Sequence, residues 1–198
     1  MGAILQSLNR TIIAGFVLLL VIVVLASALS GTTIAFGERA WWLFFVRWLH
    51  VLAGVMWIGL LWYFNFVQMP SMPKIPDEQK PAISKVIAPE ALFWFRHAAL
   101  WTVITGVTLA SLNGYIGSAL MLQRPFTAIG IGMWLALLMA FNVWFIIWPN
   151  QQKALGMVPV EADAKAKAAR TAMLTSRLNT MLSIPMLFCM VAQQNGGL

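Results

Sequence analysis

Chemically reactive side chains are scarce in this sequence. It contains one cysteine, two histidines and six acidic residues among 198. Cys189 alone cannot form an intramolecular disulfide, and its place in an apolar run is typical of a small buried residue. The acidic residues all lie outside the long apolar runs, so a proton channel lacks the intramembrane carboxylates that it would use. The sequence also has no glycine-rich phosphate loop, nucleophile elbow or cysteine cluster, which leaves hydrolase and kinase activities without support.

Apolar residues, by contrast, make up 61% of the chain, whereas charged residues make up 10%. This composition is typical of an integral membrane protein, and runs of about 20 apolar residues are long enough to cross a bilayer as helices. We therefore expect an all-α helical bundle in the lipid bilayer, with one transmembrane domain over residues 1–198 and about five helices. The predicted helices cover residues 11–30, 41–67, 91–111, 126–148 and 171–193.

The basic residues predict how the chain is oriented. The first apolar run follows Arg10 and ends in a small-x-small pattern, as a signal peptide does, and we expect it to be retained as the first helix. With five helices, ten of the 13 Lys and Arg residues fall on one side and three on the other. Because cytoplasmic flanks carry the excess, we expect the N-terminus on the cytoplasmic side and the C-terminus on the opposite side of the membrane. The net charge of +7 then belongs to loops beside anionic lipid and does not indicate nucleic-acid binding.

His50 lies inside the second apolar run, where hydrocarbon offers the imidazole neither water nor a counter-ion. Five residues of this run recur at spacings of three and four and therefore share one helix face: Arg47, His50, Gly54, Trp57 and Leu61. A b-type haem needs such a face, with an imidazole for the iron, a flat apolar slot beside a glycine, and a cation for a propionate. The alternative is a histidine that hydrogen-bonds a polar group on a neighbouring helix, with Gly54 and Gly59 allowing close helix packing.

The second histidine, His97, follows Arg96 in the third apolar run. If the second and third helices are antiparallel, the rise of about 1.5 Å per residue separates His50 and His97 by roughly 8 Å in depth. One haem ligated by both imidazoles then requires a tilted macrocycle. A haem held by one histidine with an open sixth position, and two separate sites, remain as alternatives. The predicted ligands of the haem iron are accordingly His50 and His97.

Other polar or soft side chains are weaker candidates. Asn142 and Asn179 lie deep enough in their helices to contact a polar ligand, although hydrogen bonding between helices is the simpler interpretation. Met69 and Met72 are soft thioether ligands, which raises the alternative of copper(I) handling together with a histidine. They lie in a segment, residues 68–90, whose five prolines preclude one continuous helix.

Four segments carry a resemblance to a known family. They are Arg47-Trp48-Leu49-His50-x3-Gly54-x2-Trp57-Ile58-Gly59, Phe95-Arg96-His97-Ala98-Ala99, Asn142-Val143-Trp144-x3-Trp148-Pro149-Asn150-Gln151 and Ser176-Arg177-x-Asn179-Thr180. Together they resemble the membrane domain of bacterial urate hydroxylase, also called the urate oxidase N-terminal domain. The first segment is more distantly similar to membrane-integral protoporphyrinogen oxidases, which bind haem.

The resemblance implies a membrane redox protein of the bacterial inner membrane, with a periplasmic C-terminus. Any enzyme activity would be that of an oxidoreductase of the urate hydroxylase type. In that family a c-type cytochrome domain follows the last helix, whereas this sequence has no Cys-x-x-Cys-His. We therefore expect a separate c-type cytochrome or a respiratory complex to accept the electrons. The alternative is a non-catalytic accessory subunit of a larger membrane complex. No residue is assigned a catalytic role, and the predicted cofactor is haem b, bound by His50, His97, Arg47, Gly54 and Trp57.

Overall fold

The computed structural model describes residues 2–197 and contains only helices and connecting turns over that range. The all-α prediction is therefore confirmed. Five long α-helices account for most of the chain: α1 Leu8–Ser30, α2 Arg39–Trp62, α3 Ala88–Leu112, α4 Thr127–Phe141 and α5 Ala162–Asn195. Shorter helical turns lie at Gly2–Leu5, Met69–Ser71, Lys80–Ala82, Ile116–Leu120 and Trp148–Ala154.

The chain divides into two compact units, Met1–Trp42 and Leu43–Leu198. The first unit holds α1, which is aliphatic almost throughout, as a helix facing lipid is. At the other end of this unit Phe36, Trp41 and Trp42 pack edge to face, with ring centroids 4.9 Å apart in each pair. Such clusters of amphipathic rings are typical of a membrane interface.

The second unit is built around a core in which large side chains of α2 meet small and large ones of the later helices. Trp57 and Leu61 of α2 are fully buried, and Phe64 packs edge to face on Phe95 of α3 at 5.6 Å. Ala99 of α3 is fully buried as well. The small side chain of Ala99 allows α3 to lie close to α2. The larger side chains of α2 then fill the remaining space between the helix axes.

Contacts between side chains fix the directions of these helices. The side chain of His50 on α2 meets α3 at Thr102, and that of Phe64, in the π-helical continuation of α2, meets the same helix at Phe95. The residue numbers rise on one helix as they fall on the other, so α2 and α3 are antiparallel, as expected. The same reasoning holds for α4 and α5, since Ile129 N–H donates to Gln193 and Asn142 donates to Asn179.

Three stretches of π-helix interrupt the regular helices, and each ends just before a proline. They are Tyr63–Gln68 before Pro70, Ile83–Ile87 before Pro89, and Asn142–Ile147 before Pro149. Proline lacks an N–H group and its ring clashes with the carbonyl four residues earlier, so the preceding turn has to widen. The prolines between residues 68 and 90 thus shape this segment as expected, and the chain is non-helical at Ile75 and Pro76.

Four helical stretches in residues 2–197 are long and apolar enough to cross a membrane: Leu8–Ser30, Arg39–Lys74, Thr127–Ala154 and Ala162–Asn195. The protein is therefore a multi-pass membrane protein. The remaining predicted span, residues 91–111, coincides with α3, which has 25 residues and carries Glu90, Arg96 and His97. Five spans and the cytoplasmic N-terminus stay predictions.

Buried polar side chains connect the helices of the second unit. Asn142 Nδ2 donates to Asn179 Oδ1 at 2.8 Å, and Asn179 Nδ2 donates to the Met139 carbonyl at 2.9 Å. Trp62 Nε1 donates to Ser183 Oγ at 3.0 Å, and both Asn179 and Ser183 are fully buried. The two asparagines are thus hydrogen-bond partners of each other, as in the simpler of the two interpretations.

Replacing these asparagines tests that interpretation. Asn179→Ala removes two hydrogen bonds between α5 and the α4 segment, and we expect it to lower the free energy of unfolding by about 1–2 kcal/mol. Asn142→Ala removes one of the two and should cost less. Asn150→Ala is the control, since its amide bonds a carbonyl of its own helix turn, at Ile146. Reversible unfolding of detergent-solubilised protein measures the loss of unfolding free energy in each variant. Equal losses in all three variants would contradict the interpretation that the two asparagines connect the helices.

Candidate ligand cavity

A cavity of about 730 Å³ lies within the second unit, between α2 and the helices α3, α4 and α5. This volume falls in the range of about 300–1,000 Å³ that is usual for small-molecule and cofactor sites. Most of the lining is apolar. The polar or charged side chains among the lining residues are Arg47, His50, Thr102, Tyr115, Gln194 and Asn195, together with the indole of Trp57.

His50 is held by α3 through one ring nitrogen. Nδ1 lies 3.0 Å from the Thr102 carbonyl oxygen and 3.2 Å from Thr105 Oγ1. A carbonyl oxygen only accepts hydrogen bonds, so Nδ1 carries the proton and donates it. Nε2 therefore presents a lone pair, and it has no hydrogen-bond partner among residues 2–197. The imidazole is fixed in orientation and keeps one free basic nitrogen.

Gly106 of α3 leaves the space that the imidazole of His50 occupies. A Cβ atom at this position would lie 2.9 Å from His50 Cε1 and 3.3 Å from His50 Nδ1. Real Cβ atoms essentially never approach other atoms as closely as the shorter of these distances. A glycine is therefore needed for the ring to reach the Thr102 carbonyl. The sequence predicted His50 as a ligand-binding residue, but no sequence pattern connects it with Gly106.

The face of α2 below His50 is open. A Cβ atom at Gly54 or at Gly59 would meet nothing within 4 Å, and both glycines line the cavity. The second unit therefore does not use Gly54 and Gly59 for close helix packing, because none of the described residues of its other helices lies within 4 Å of a Cβ at either position. Open space beside a glycine, one turn from an imidazole, leaves room for a flat ligand next to the backbone.

Two further predicted residues supply buried donors without partners. Arg47 Nε and Trp57 Nε1 are buried, line the cavity, and hydrogen-bond to no residue that the structure describes. Trp57 itself is fully buried. Buried N–H groups in proteins are nearly always paired, so these two donors indicate that a polar group of a ligand or water belongs in the cavity.

Tyr115 reaches the cavity because α3 ends where it does. Gly114 has a φ of +78°, and the Tyr115 N–H returns to the Ala110 carbonyl at 3.2 Å, which closes the helix C-terminus. The Tyr115 ring stacks on Phe126 at 5.0 Å and 22°. Burial raises the pKa of the Tyr115 phenol, and the positive charge of Arg47 opposes that rise. Tyr115 was not among the site residues predicted from the sequence, although Asn-Gly before it is a recognisable helix stop.

His97 does not line this cavity. Its Nδ1 donates to the Phe93 carbonyl of the preceding turn at 2.7 Å, and its ring lies against Phe93 and Trp144 at 4.1 and 5.8 Å. Nine residues separate His97 from Gly106, which is two and a half helical turns at about 3.6 residues per turn. The two residues therefore lie on opposite faces of α3. The structure brings together His50, Arg47, Gly54 and Trp57 and places His97 elsewhere.

The neighbour of His97 has an aromatic environment of its own. The guanidinium of Arg96 lies 3.6 Å from the centroid of the Trp148 ring, and Trp144 Nε1 donates to the Arg96 carbonyl at 3.1 Å. This geometry is that of a cation–π contact. Of the two methionines considered for copper, Met69 packs against the apolar core of the second unit, which is an ordinary structural role.

The fold and the cavity define a class: a multi-pass helical membrane protein with a ligand-sized, largely apolar cavity that contains one oriented imidazole. The family model described as "Urate oxidase N-terminal" matches residues 125–196. The match covers α4, α5 and the turns between them, which form one wall of the cavity, and it is consistent with the resemblance found in the sequence. No curated protein and no solved structure matches the chain.

A double-mutant cycle tests the packing of His50 on α3. Gly106→Ala places a methyl group against the imidazole, and we expect it to cost about 1–3 kcal/mol of unfolding free energy, as overpacking does. In a His50→Ala background the methyl group meets no ring, so most of that cost should disappear. Gly54→Ala, whose Cβ meets nothing within 4 Å, is the matched control. Additive effects of Gly106→Ala and His50→Ala would show that the two residues are not in contact.

Proposed function

We propose that this protein binds b-type haem in the cavity through Nε2 of His50 and acts as a membrane redox protein, passing electrons to a c-type cytochrome or a respiratory complex. One observation carries the proposal. The Nδ1 proton of His50 is donated to the Thr102 carbonyl at 3.0 Å, while Nε2, on a residue that lines the cavity, has no hydrogen-bond partner in the described part of the chain. Histidines that ligate metals commonly donate their other N–H in this way, which fixes the ring and raises the basicity of the ligating nitrogen.

The other residues of the cavity fit the same group. Haem requires a flat apolar slot, and the lining near Gly54 offers open space on an otherwise apolar wall. It also requires a cation for its propionates, and Arg47 lies one helical turn from His50 with its Nε unpaired. The fit thus rests on shape, on charge and on a free ligating nitrogen.

When bound, haem would supply a one-electron redox couple. The residues of this chain would hold it and set its surroundings. Nε2 of His50 would hold the haem iron, the Thr102 carbonyl would keep the imidazole ring oriented, and the apolar wall from α4 and α5 would exclude water. The positive charge of Arg47 would stabilise an anionic group beside the cofactor.

His97 has no part in this proposal. Its imidazole lies on the opposite face of α3 from Gly106 and is held by Phe93 and Trp144. A haem site with one protein imidazole would therefore need His50 and not His97.

Haem content of purified variants tests the assignment. The wild-type protein, expressed with ample haem, should show a Soret band that shifts on reduction. His50→Ala should lose at least nine-tenths of its haem because the axial nitrogen is gone, as measured by pyridine haemochrome analysis. His97→Ala is the matched control and should keep its haem, since it removes the other imidazole from the same unit.

Two outcomes would contradict the proposal. One is a folded wild-type protein without pigment, and the other is equal haem loss in the His50→Ala and His97→Ala variants. A pigment-free protein that purifies together with oxidase or cytochrome subunits would support the accessory-subunit alternative instead.

A further inference from the structure

We infer that Arg47 and Tyr115 form a carboxylate-binding site at one end of the cavity, and that Tyr115 is a ligand-positioning residue there. The inference rests on the proposed function, because the carboxylate it would hold is a haem propionate. It adds Tyr115, which does not belong to α2, and it predicts the orientation of a ligand in the cavity.

No acidic side chain that the structure describes forms an ion pair with Arg47. Arg47 is half-buried, and its Nε is buried without a hydrogen-bond partner. Within residues 2–197 the ion pair that forms is between Lys80 and Asp77, at 2.6 Å, in the segment that follows α2. An uncompensated charge in a poorly hydrated place is costly, so an anionic group is expected to accompany it.

Tyr115 supplies a second donor close to this charge. Its phenolic O–H has no hydrogen bond to a described residue, while its ring is fixed by stacking on Phe126. Burial raises the pKa of the phenol, which keeps the O–H protonated at neutral pH, and Arg47 lies near enough for its charge to act on that group. A guanidinium and a neutral phenol are donors that suit a carboxylate oxygen.

The remaining lining shows which way a ligand would point. Arg47 is three residues before His50 on α2, about 4.5 Å along the helix axis. On the other side of His50 the lining becomes apolar, with Trp57, Ile58 and Met186. A ligand held at His50 would therefore direct its carboxylate towards Arg47 and Tyr115 and its apolar edge towards Trp57.

Titration of the haem-free protein with two probes tests the site. The probes are protohaem and its dimethyl ester, which has the same ring and iron without the negative charges. We expect the wild-type protein to bind protohaem about tenfold to a hundredfold more tightly than the ester, since charge-assisted hydrogen bonds are lost with the ester. Arg47→Gln and Tyr115→Phe should each reduce this preference, whereas Arg47→Lys should keep part of it.

Matched controls come from the same chain. Arg124→Gln removes an exposed arginine and Tyr63→Phe removes the other of the two tyrosines, and neither residue lines the cavity. Both controls should keep the full preference for protohaem. Loss of preference in the controls as well would show that net charge, and not a site, governs binding, and would overturn the inference.

The failure of this inference is distinguishable from the failure of the proposed function. Equal affinity of the wild-type protein for the two probes, with weak binding of both by His50→Ala, would overturn the carboxylate site and leave haem ligation by His50 intact. A preserved preference in His50→Ala, at unchanged affinities, would overturn ligation by His50 and support the carboxylate site. An unchanged preference in Tyr115→Phe would remove Tyr115 from the site, and absence of binding to either probe would overturn both proposals.

Discussion

A polar side chain inside a bilayer has to find its hydrogen-bond partners within the protein, and this constraint explains how the second unit is arranged. Asn179 satisfies it completely, since its amide bonds Asn142 and the Met139 carbonyl between α4 and α5. His50 satisfies it at one of its two ring nitrogens: Nδ1 donates to the Thr102 carbonyl, whereas Nε2 has no hydrogen-bond partner among the residues that the structure describes. The fully satisfied group holds helices together, and the half-satisfied one borders a cavity. The difference between them separates a structural site from a candidate ligand site.

The sequence predicted much of this from periodicity. An α-helix repeats every 3.6 residues or so, which is why Arg47, His50, Gly54 and Trp57 were placed on one face before their surroundings were known. The approximate positions of the long helices were predicted from the lengths of the apolar runs, which are also a local property of the sequence. The alternatives for His50 were partly resolved as well: it does hydrogen-bond a neighbouring helix, and Gly54 nevertheless faces open space.

What the sequence did not predict depends on contacts between helices. Nothing local to His50 identifies Gly106 or Thr102 as its neighbours, because those contacts are set by the rotation of α3 against α2. The same rotation places His97 on the face of α3 that points away from the cavity. The depths predicted for His50 and His97 depend only on the rise along each helix, so they contain no information about this rotation. Tyr115 enters the cavity only because α3 ends at Leu112 and the chain turns at Gly114, and the sequence does not show that this turn brings the Tyr115 ring against Phe126. The family match, which covers residues 125–196, does not include His50.

The central claim is that the cavity holds a cofactor bound through Nε2 of His50. The most direct measurement is an experimental structure of the protein purified from haem-replete cells and kept in lipid. The claim predicts density for a flat macrocycle that continues from His50 Nε2 into the cavity, with carboxylate density near Arg47 and Tyr115. An acyl chain filling the same space, with His50 Nε2 hydrogen-bonded to protein or water, would contradict it.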